Sequence, residues 1–437
     1  MLLNADDFVT HVNPALEVIR NRHIGQPDGV NWFDLSDQER QQIEAALAKC
    51  SDNDTDIAWE RHFLTALWCV AEERAGCVPL RDLTQHRLKI EKVQTLPNQR
   101  SSSIETGRLL YTTAFLQFWL DEREKAVTAF IASEEIGRTL PDSFLLCRSL
   151  QGRASCALSS SQFDQAYAFV MDAHRWANKL GSNHERIRCC LLEGNIEEYR
   201  TTYSRAQSIY EDVLAQAEVS KDLRAQRRIY SGLGNVSQHL CRYDEAQEHY
   251  NRARSISHDL AAVETNYAMD ATIASNESSL MFEVERLDKG LEKAAEAINL
   301  FERAGRREHQ ASALINLAAY ETILHRLEDA FGHLVKATAI ASELKSHRII
   351  AFALAEFARL YEQFAYHEAR VVLFGAIDAL YRHIGAEVPK NQIQNYEHYK
   401  SDLIGMLGQK QYDTAWQRGL QMSSEQAVAF AIQMHPN

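Results

Sequence analysis

Four arginines recur at a constant interval, and their spacing is the first sign of a chemical role. Arg108, Arg148, Arg188 and Arg228 stand 40 residues apart. Arginine carries a planar fork of donors that suits carboxylate or phosphate oxygens. If the intervening segments are structurally equivalent, the four guanidinium groups form a ladder that can bind an anionic ligand. The alternative is that each arginine pairs with an acidic residue of the next segment and only ties the segments together.

Asparagines recur with the same period as the arginines. Asn195 and Asn235 share one position, and Asn276 and Asn316 share another. In the first two segments the place of Asn195 is taken by Phe115 and Ser155. We take the four arginines and the four asparagines as the candidate ligand-binding or partner-binding residues.

The sequence carries no recognised catalytic or metal-binding signature. Motifs of the HExxH, GxSxG and GxGxxG kinds are absent, the eight cysteines form no CxxC pair, and no histidines have zinc-ligand spacing. We therefore expect no catalytic residues, no metal, no cofactor and no enzymatic activity. The cysteines are predicted to be buried, reduced thiols of a cytosolic protein.

The candidate residues must be positioned by helices that recur with the same period. In the stretch Arg228–Ala253, small residues at Gly234, Ala246 and Ala253 would let two antiparallel helices approach closely. Leu233 and Tyr250 would fill the space between them. The same second-helix opening recurs at seven anchor positions: Ala126, Ala166, Ala206, Ala246, Gly290, Ala330 and Ala369.

The pattern around the anchors is typical of repeated helix pairs. Four residues after each anchor the side chain is mostly large and apolar, and seven residues after it is mostly small. Residues 142 to 388 contain no proline and no convincing alternating strand pattern. This pattern resembles the tetratricopeptide repeat (TPR), although the period of about 40 exceeds the usual ~34. The predicted fold is all-α, a right-handed superhelical solenoid of antiparallel helix pairs, and longer-period variants are known in bacterial regulators.

The TPR resemblance implies a function as well as a fold. In peptide-binding TPR domains, inner-face asparagines hold the ligand backbone and basic residues hold its terminal carboxylate. By position, the arginines and asparagines named above would line the concave groove in the same way. The resemblance implies a protein or peptide partner with acidic groups or a free carboxylate, or a small anionic ligand.

The C-terminal region resembles a second family, the bacterial STAND-type ATP-dependent transcription activators, over about 60 residues at the end of their TPR sensor arm. The matching residues are Leu373, Gly375, Ala376, Ala379, Ile384, Gly385, Pro389, Tyr396, Gly408, Tyr412, Ala415, Trp416, Gly419, Ser424, Glu425, Ala427 and Val428. The sequence lacks that family's GxxxxGK[ST] phosphate loop and an evident DNA-reading helix-turn-helix. ATP hydrolysis and promoter binding therefore do not carry over.

The charge and hydropathy exclude some classes of partner. A formal net charge of -13 and a pI near 5.7 argue against a general nucleic-acid or anionic-membrane surface. No apolar segment approaches the ~20 residues needed to span a bilayer, and the first residues lack a signal-peptide pattern. We expect a cytoplasmic location.

These observations together predict the domain organisation and the function. Residues 1–100 are expected to form a helical cap or degenerate repeats, 101–385 a regular array with about four extra residues near 258–272, and 386–437 C-terminal capping helices. The predicted function is a non-enzymatic, peptide-binding or protein-binding module in regulation or signal transduction. The alternative is a structural scaffold or homo-oligomerisation module.

Overall fold

The computed structural model describes residues 38–39, 41–42, 104–119, 122–261, 266–383 and 390–434. Within these ranges every regular element is an α-helix and no strand occurs, which confirms the predicted all-α class. The helical cap predicted for residues 1–100 lies almost entirely outside the described residues. So do the predicted domain boundaries near residues 100 and 385, which therefore stay predictions.

Fourteen of the described helices form seven successive pairs. The pairs are α1 Ile104–Trp119 with α2 Arg123–Thr139, α3 Ser143–Ser159 with α4 Phe163–Leu180, α5 Asn183–Tyr199 with α6 Tyr203–Val219, α7 Leu223–His239 with α8 Tyr243–Leu260, α9 Tyr267–Glu283 with α10 Leu287–Arg303, α11 Arg307–Ile323 with α12 Leu327–Glu343, and α13 His347–Glu362 with α14 His367–His383. Three further helices follow: α15 Lys390–Leu407, α16 Gln409–Leu420 and α17 Ser424–Gln433.

Tight turns reverse the chain between consecutive helices. Several helices begin at a side-chain cap: Asp142 accepts from the backbone N–H groups of Phe144 and Leu145, and Ser182 accepts from that of Glu185. Such caps satisfy N–H groups that have no partner within the helix. A residue with left-handed backbone geometry commonly stands in the turn, as at Thr201 with a φ of 63°.

The predicted packing pattern within each helix pair is confirmed. All seven anchors are buried, as are the residues four and seven places after them. Most pairs therefore close on a small-large-small order in the second helix, and the fifth pair, with Ala294 in the middle place, is an exception. Gly194 and Gly234 lie directly against the rings of Tyr210 and Tyr250, where a Cβ atom would overlap the ring. The missing side chain at each glycine is what admits the tyrosine.

The described chain forms two compact units, and each is described by itself. The first unit ends at Asp270 and the second begins at Ala271. The boundary falls in the predicted long step between the anchors Ala246 and Gly290, which includes residues 262–265, outside the described ranges. The arginines at issue, with Asn195 and Asn235, belong to the first unit, and Asn276 and Asn316 belong to the second.

The last helices of the second unit pack against α13 and α14. Tyr412, Ala415 and Ala431 are buried in the same apolar cluster as residues of these two helices. The Tyr361 hydroxyl on α13 donates to the carbonyl of Ala431 on α17. No helix in the described ranges is long and apolar enough to cross a membrane.

Candidate functional site

The candidate residues of the first unit lie on the first helix of each pair. The positions 18, 11 and 8 before the anchor fall on one side of that helix, since their spacings of 7 and 3 are close to whole helical turns. We call these positions on α1, α3, α5 and α7 the first-helix face. The four arginines stand 18 residues before their anchors. Asn195 and Asn235 stand 11 residues before theirs, and Glu198 and Gln238 stand 8 residues before.

Arg108 and Arg148 each form an ion pair with an acidic residue of the next repeat. Arg148 is buried, and its Nη2 and Nε atoms lie 2.7 Å and 2.9 Å from one carboxylate oxygen of Glu185. Arg108 Nη2 lies 3.4 Å from the carboxylate of Asp142. Both contacts are of the repeat-bridging kind that the sequence left open as an alternative to ligand binding.

Arg188 joins Arg148 in one polar network. Its Nε donates to Gln151 Oε1 at 3.2 Å, and Gln151 Nε2 donates to Glu185 Oε2 at 3.1 Å. Burial by itself would raise the pKa of Glu185, but the charges of Arg148 and Arg188 outweigh it and hold that pKa below its ordinary value. Glu185 is therefore an ionised carboxylate at the centre of the network.

The fourth arginine stands in a different environment. Arg228 is exposed, whereas its neighbour Arg227 is buried and donates from Nη1 to the hydroxyl of Ser257 at 3.4 Å. The structure thus brings Arg148 and Arg188 together and leaves Arg228 towards solvent. Four arginines that are equivalent in the repeat differ widely in exposure.

Two cysteines lie against the same network. Gln151 Nε2 is 3.3 Å from the sulfur atoms of both Cys147 and Cys189, and both residues are fully buried. Cys156 is buried as well, and Cys241 is exposed. The predicted burial of the thiols is thus confirmed for Cys147, Cys156 and Cys189, and it is wrong for Cys241 and for the half-buried Cys190. Cys50, Cys69 and Cys77 lie outside the described residues.

Tyrosine hydroxyls hold the two asparagines of the first unit in place. Tyr210 donates to Asn195 Oδ1 at 2.6 Å, and Tyr250 donates to Asn235 Oδ1 at 2.8 Å. Because the carbonyl oxygen of each amide accepts a hydrogen bond from a buried tyrosine hydroxyl, the orientation of the amide is fixed. Asn195 is exposed and Asn235 is half-buried.

Glu198 completes the site and was missed by the sequence analysis. Its Oε1 atom accepts from Asn235 Nδ2 at 3.0 Å, and its Oε2 atom lies 3.2 Å from the Tyr210 hydroxyl. Burial raises the pKa of Glu198 to about 7, although the bonds from Asn235 and Tyr210 oppose the rise. One signal was available: the same repeat position carries an amide, Gln238, in the next pair.

The asparagines of the second unit have a different setting. Asn276 and Asn316 are half-buried on α9 and α11, 14 residues before their anchors. Four residues after those anchors stand Ala294 and Leu334, which have no hydroxyl group to orient an amide. In the part of the chain that the structure covers, no residue hydrogen-bonds the side chain of Asn316.

Ionisation of Glu198 is expected to make the first unit less stable as the pH rises. Its folded pKa of about 7 exceeds its ordinary value of 4.5. The stability linked to a raised pKa is fully present below the ordinary value and is lost as the pH rises through the folded value. Between about pH 5 and about pH 8, the melting temperature of the wild type should fall more than that of Glu198→Gln. Parallel melting curves would contradict the expected ionisation.

Comparisons with known proteins show the fold. No protein-family model matches the chain. No curated protein sequence matches it either. Among solved structures, a Rap protein complexed with Competence and Sporulation Factor matches with a TM-score of 0.61 and 13% identity, over 87% of this chain and 99% of that chain. NprR in complex with its cognate peptide NprX matches with a TM-score of 0.57 and 13% identity, over 85% of this chain and 99% of that chain.

Two other solved structures also match the chain. Aspartyl phosphate phosphatase F from Bacillus subtilis has a TM-score of 0.50 at 13% identity, covering 89% of this chain and 98% of that chain. A STAND protein with a TPR sensor from Pyrococcus horikoshii matches at a TM-score of 0.42 and 14% identity, over 91% of this chain and 55% of that chain. The protein has a TPR-like fold. At these identities the likeness extends to the fold alone.

Proposed function

We propose that this protein is a non-enzymatic regulatory module that binds a peptide or an extended protein segment along the first-helix face of its first unit. The observation that carries the proposal is the pair of asparagines held by Tyr210 and Tyr250. An amide whose carbonyl oxygen is held by a tyrosine hydrogen bond can present its N–H groups in a constant direction. Two such amides at the same position in successive repeats suit a ligand with regularly spaced carbonyl groups, which is what an extended peptide backbone provides.

The arginines divide into two roles in this proposal. Arg148 is buried in its ion pair with Glu185, so its role is to tie α3 to α5. Arg188 is half-buried and Arg228 is exposed, and these two are proposed to meet acidic groups of the ligand. Asn276 and Asn316 belong to the second unit, and this proposal gives them no role in binding along the first unit.

The comparisons support a peptide partner without identifying one. NprR was solved with its cognate peptide, and Rap with Competence and Sporulation Factor. Both share the fold of this chain, and we transfer from them only the class of ligand. One of the matched structures is a phosphatase, so a phosphate-release assay on this protein is a second test. If the protein is non-enzymatic, as proposed, no phosphate should be released.

The proposal is tested by peptide display on the full chain. A library of random peptides is selected against the immobilised wild type, and enriched peptides are then titrated by fluorescence anisotropy. The double variant Asn195→Ala/Asn235→Ala is expected to bind them about 30-fold more weakly, since each of the two lost hydrogen bonds is worth about 1 kcal/mol. Circular dichroism should show unchanged helix content.

A matched control uses amides on the other helix of a pair. On α8, Gln247 is half-buried and Asn251 is exposed, and the two side chains bond each other at 3.1 Å. Their double alanine variant removes two amides away from the first-helix face and should keep wild-type affinity. If no peptide is enriched, or if the two double variants weaken binding equally, the proposed site is wrong. A stable oligomer of the wild type with no enriched peptide would favour the scaffold function instead.

A further inference from the structure

Glu198 differs from the other acidic residues of its helix because no cation neutralises it. Glu185 is paired with Arg148 at 2.7 Å, and Glu197 lies 3.4 Å from Arg200. Glu193 lies 3.2 Å from His174. Among the described residues, no lysine, arginine or histidine nitrogen comes within 4 Å of the Glu198 carboxylate, whose hydrogen-bonding neighbours are the neutral groups Asn235 Nδ2 and the Tyr210 hydroxyl.

A carboxylate in that position retains capacity for a further donor. Each of its oxygens can accept two hydrogen bonds, whereas Oε1 accepts one from Asn235 and Oε2 has only the Tyr210 hydroxyl, which lies closer to Asn195. The half-buried setting disfavours the charged form, so an incoming cation would be attracted more strongly than by a carboxylate in water. The site is therefore open to a positively charged ligand group.

The charge of Glu198 acts on a nearby titratable side chain, that of Tyr203. The Tyr203 ring stacks on His239 with 4.6 Å between ring centroids and 13° between planes. Tyr203 is half-buried and lies within the field of Glu198, which adds to the effect of burial in raising the tyrosine pKa.

We propose that Glu198, oriented by Asn235, forms a subsite for a cationic group of the bound peptide, namely an arginine or lysine side chain or the amino terminus. This proposal rests on the proposed peptide-binding function and specifies it. The ligand then carries a positive group at the third and fourth repeats, together with any acidic group that meets Arg188 or Arg228.

The chain contains its own neutral counterpart of this subsite. In the next repeat, Gln238 Oε1 lies 3.2 Å from the Tyr250 hydroxyl, and that hydroxyl also donates to Asn235. An amide thus takes the place of the carboxylate beside a tyrosine that is equally buried. The tyrosine does not require a charged partner, so the charge of Glu198 is available for a ligand.

The test measures charge preference separately from peptide binding. Random peptides displayed on phage are selected at pH 8 against the wild type and against Glu198→Gln. The expected result is a basic residue enriched at one position with the wild type and no such enrichment with the variant. For one enriched peptide, replacing that arginine with neutral citrulline should weaken wild-type binding by about 10-fold or more, whereas the variant should bind both peptides equally.

Two outcomes would overturn the subsite, and they have different consequences for the function. Enriched peptides without a basic position, or a basic preference that persists in Glu198→Gln, would remove the cation subsite and leave peptide binding standing. No enriched peptide with the wild type would remove both proposals. The reverse variant Gln238→Glu adds a check: it should create a second basic preference, provided that circular dichroism confirms folding.

Discussion

Replacing Glu185 with alanine is expected to lower the free energy of unfolding of the first unit by about 3–5 kcal/mol, the cost of leaving a buried charge without its partner. The side chain of Arg148 is 6% exposed and that of Glu185 is 1% exposed. Without the carboxylate, the guanidinium of Arg148 stays buried between α3 and α5 with its charge uncompensated. Gln151 loses its acceptor at the same time. Urea unfolding followed by circular dichroism measures the loss, and hydrogen exchange should rise first in α3 and α5.

Two variants show whether the charge imbalance is the cause. The exposed pair of Glu248 and Arg252, 3.1 Å apart, is the control for a surface contact, and Glu248→Ala should cost under about 0.5 kcal/mol. The double replacement Arg148→Met/Glu185→Leu removes both charges and should recover most of the loss, because apolar side chains can replace a buried pair. If Glu185→Ala costs no more than Glu248→Ala, the pair does not hold the two repeats together.

The helix pairs could be predicted from the sequence because their contacts are local. Gly234 meets Tyr250 within one pair, and the small and large residues that meet there stand at fixed offsets along the chain. Such offsets are visible in any repeat. The fold class, the anchors and their burial follow from that pattern alone.

The roles of the arginines could not be predicted in the same way. The period identifies equivalent positions, but it does not specify how far one first helix is displaced against the next. The partner of Arg148 is 37 residues further on, not 40. Arg108 pairs instead with Asp142, 34 residues further on, and Arg188 donates to Gln151 of the preceding repeat. Only particular residues on the neighbouring helix decide whether an arginine is neutralised, so equivalent positions acquired different environments.

Glu198 shows the same limit for the candidate site. Its carboxylate is oriented by Tyr210 from its own pair and by Asn235 from the next pair. The first contact follows from the repeat pattern, whereas the second depends on how α7 docks beside α5. The sequence identified Asn235 as a ligand-binding residue by position. The structure shows that one of its N–H groups is already used to orient a carboxylate.

The second large effect is expected where α16 crosses α14 in the second unit. Gly375 and Gly419 face each other there, and a Cβ atom added to Gly419 would overlap the carbonyl oxygen of Val372 and lie 2.9 Å from the Cα atom of Gly375. These obstacles are backbone atoms, so no side-chain rotation can relieve them. Gly419→Ala must therefore move α16 away from α14.

The displacement of α16 determines how much stability Gly419→Ala should cost. Gly419→Ala is expected to cost about 3 kcal/mol, the upper end for overpacking, because Tyr412 and Ala415 on the same helix leave their buried places. Gly332→Ala on α12 meets no atom within 4 Å and should instead stabilise the unit by about 0.5–1 kcal/mol through lower backbone entropy. Thermal unfolding of both variants gives opposite signs if backbone contact is what holds the C-terminal helices on α14. A destabilisation by both variants alike would mean that helix α16 is held chiefly by its apolar side chains.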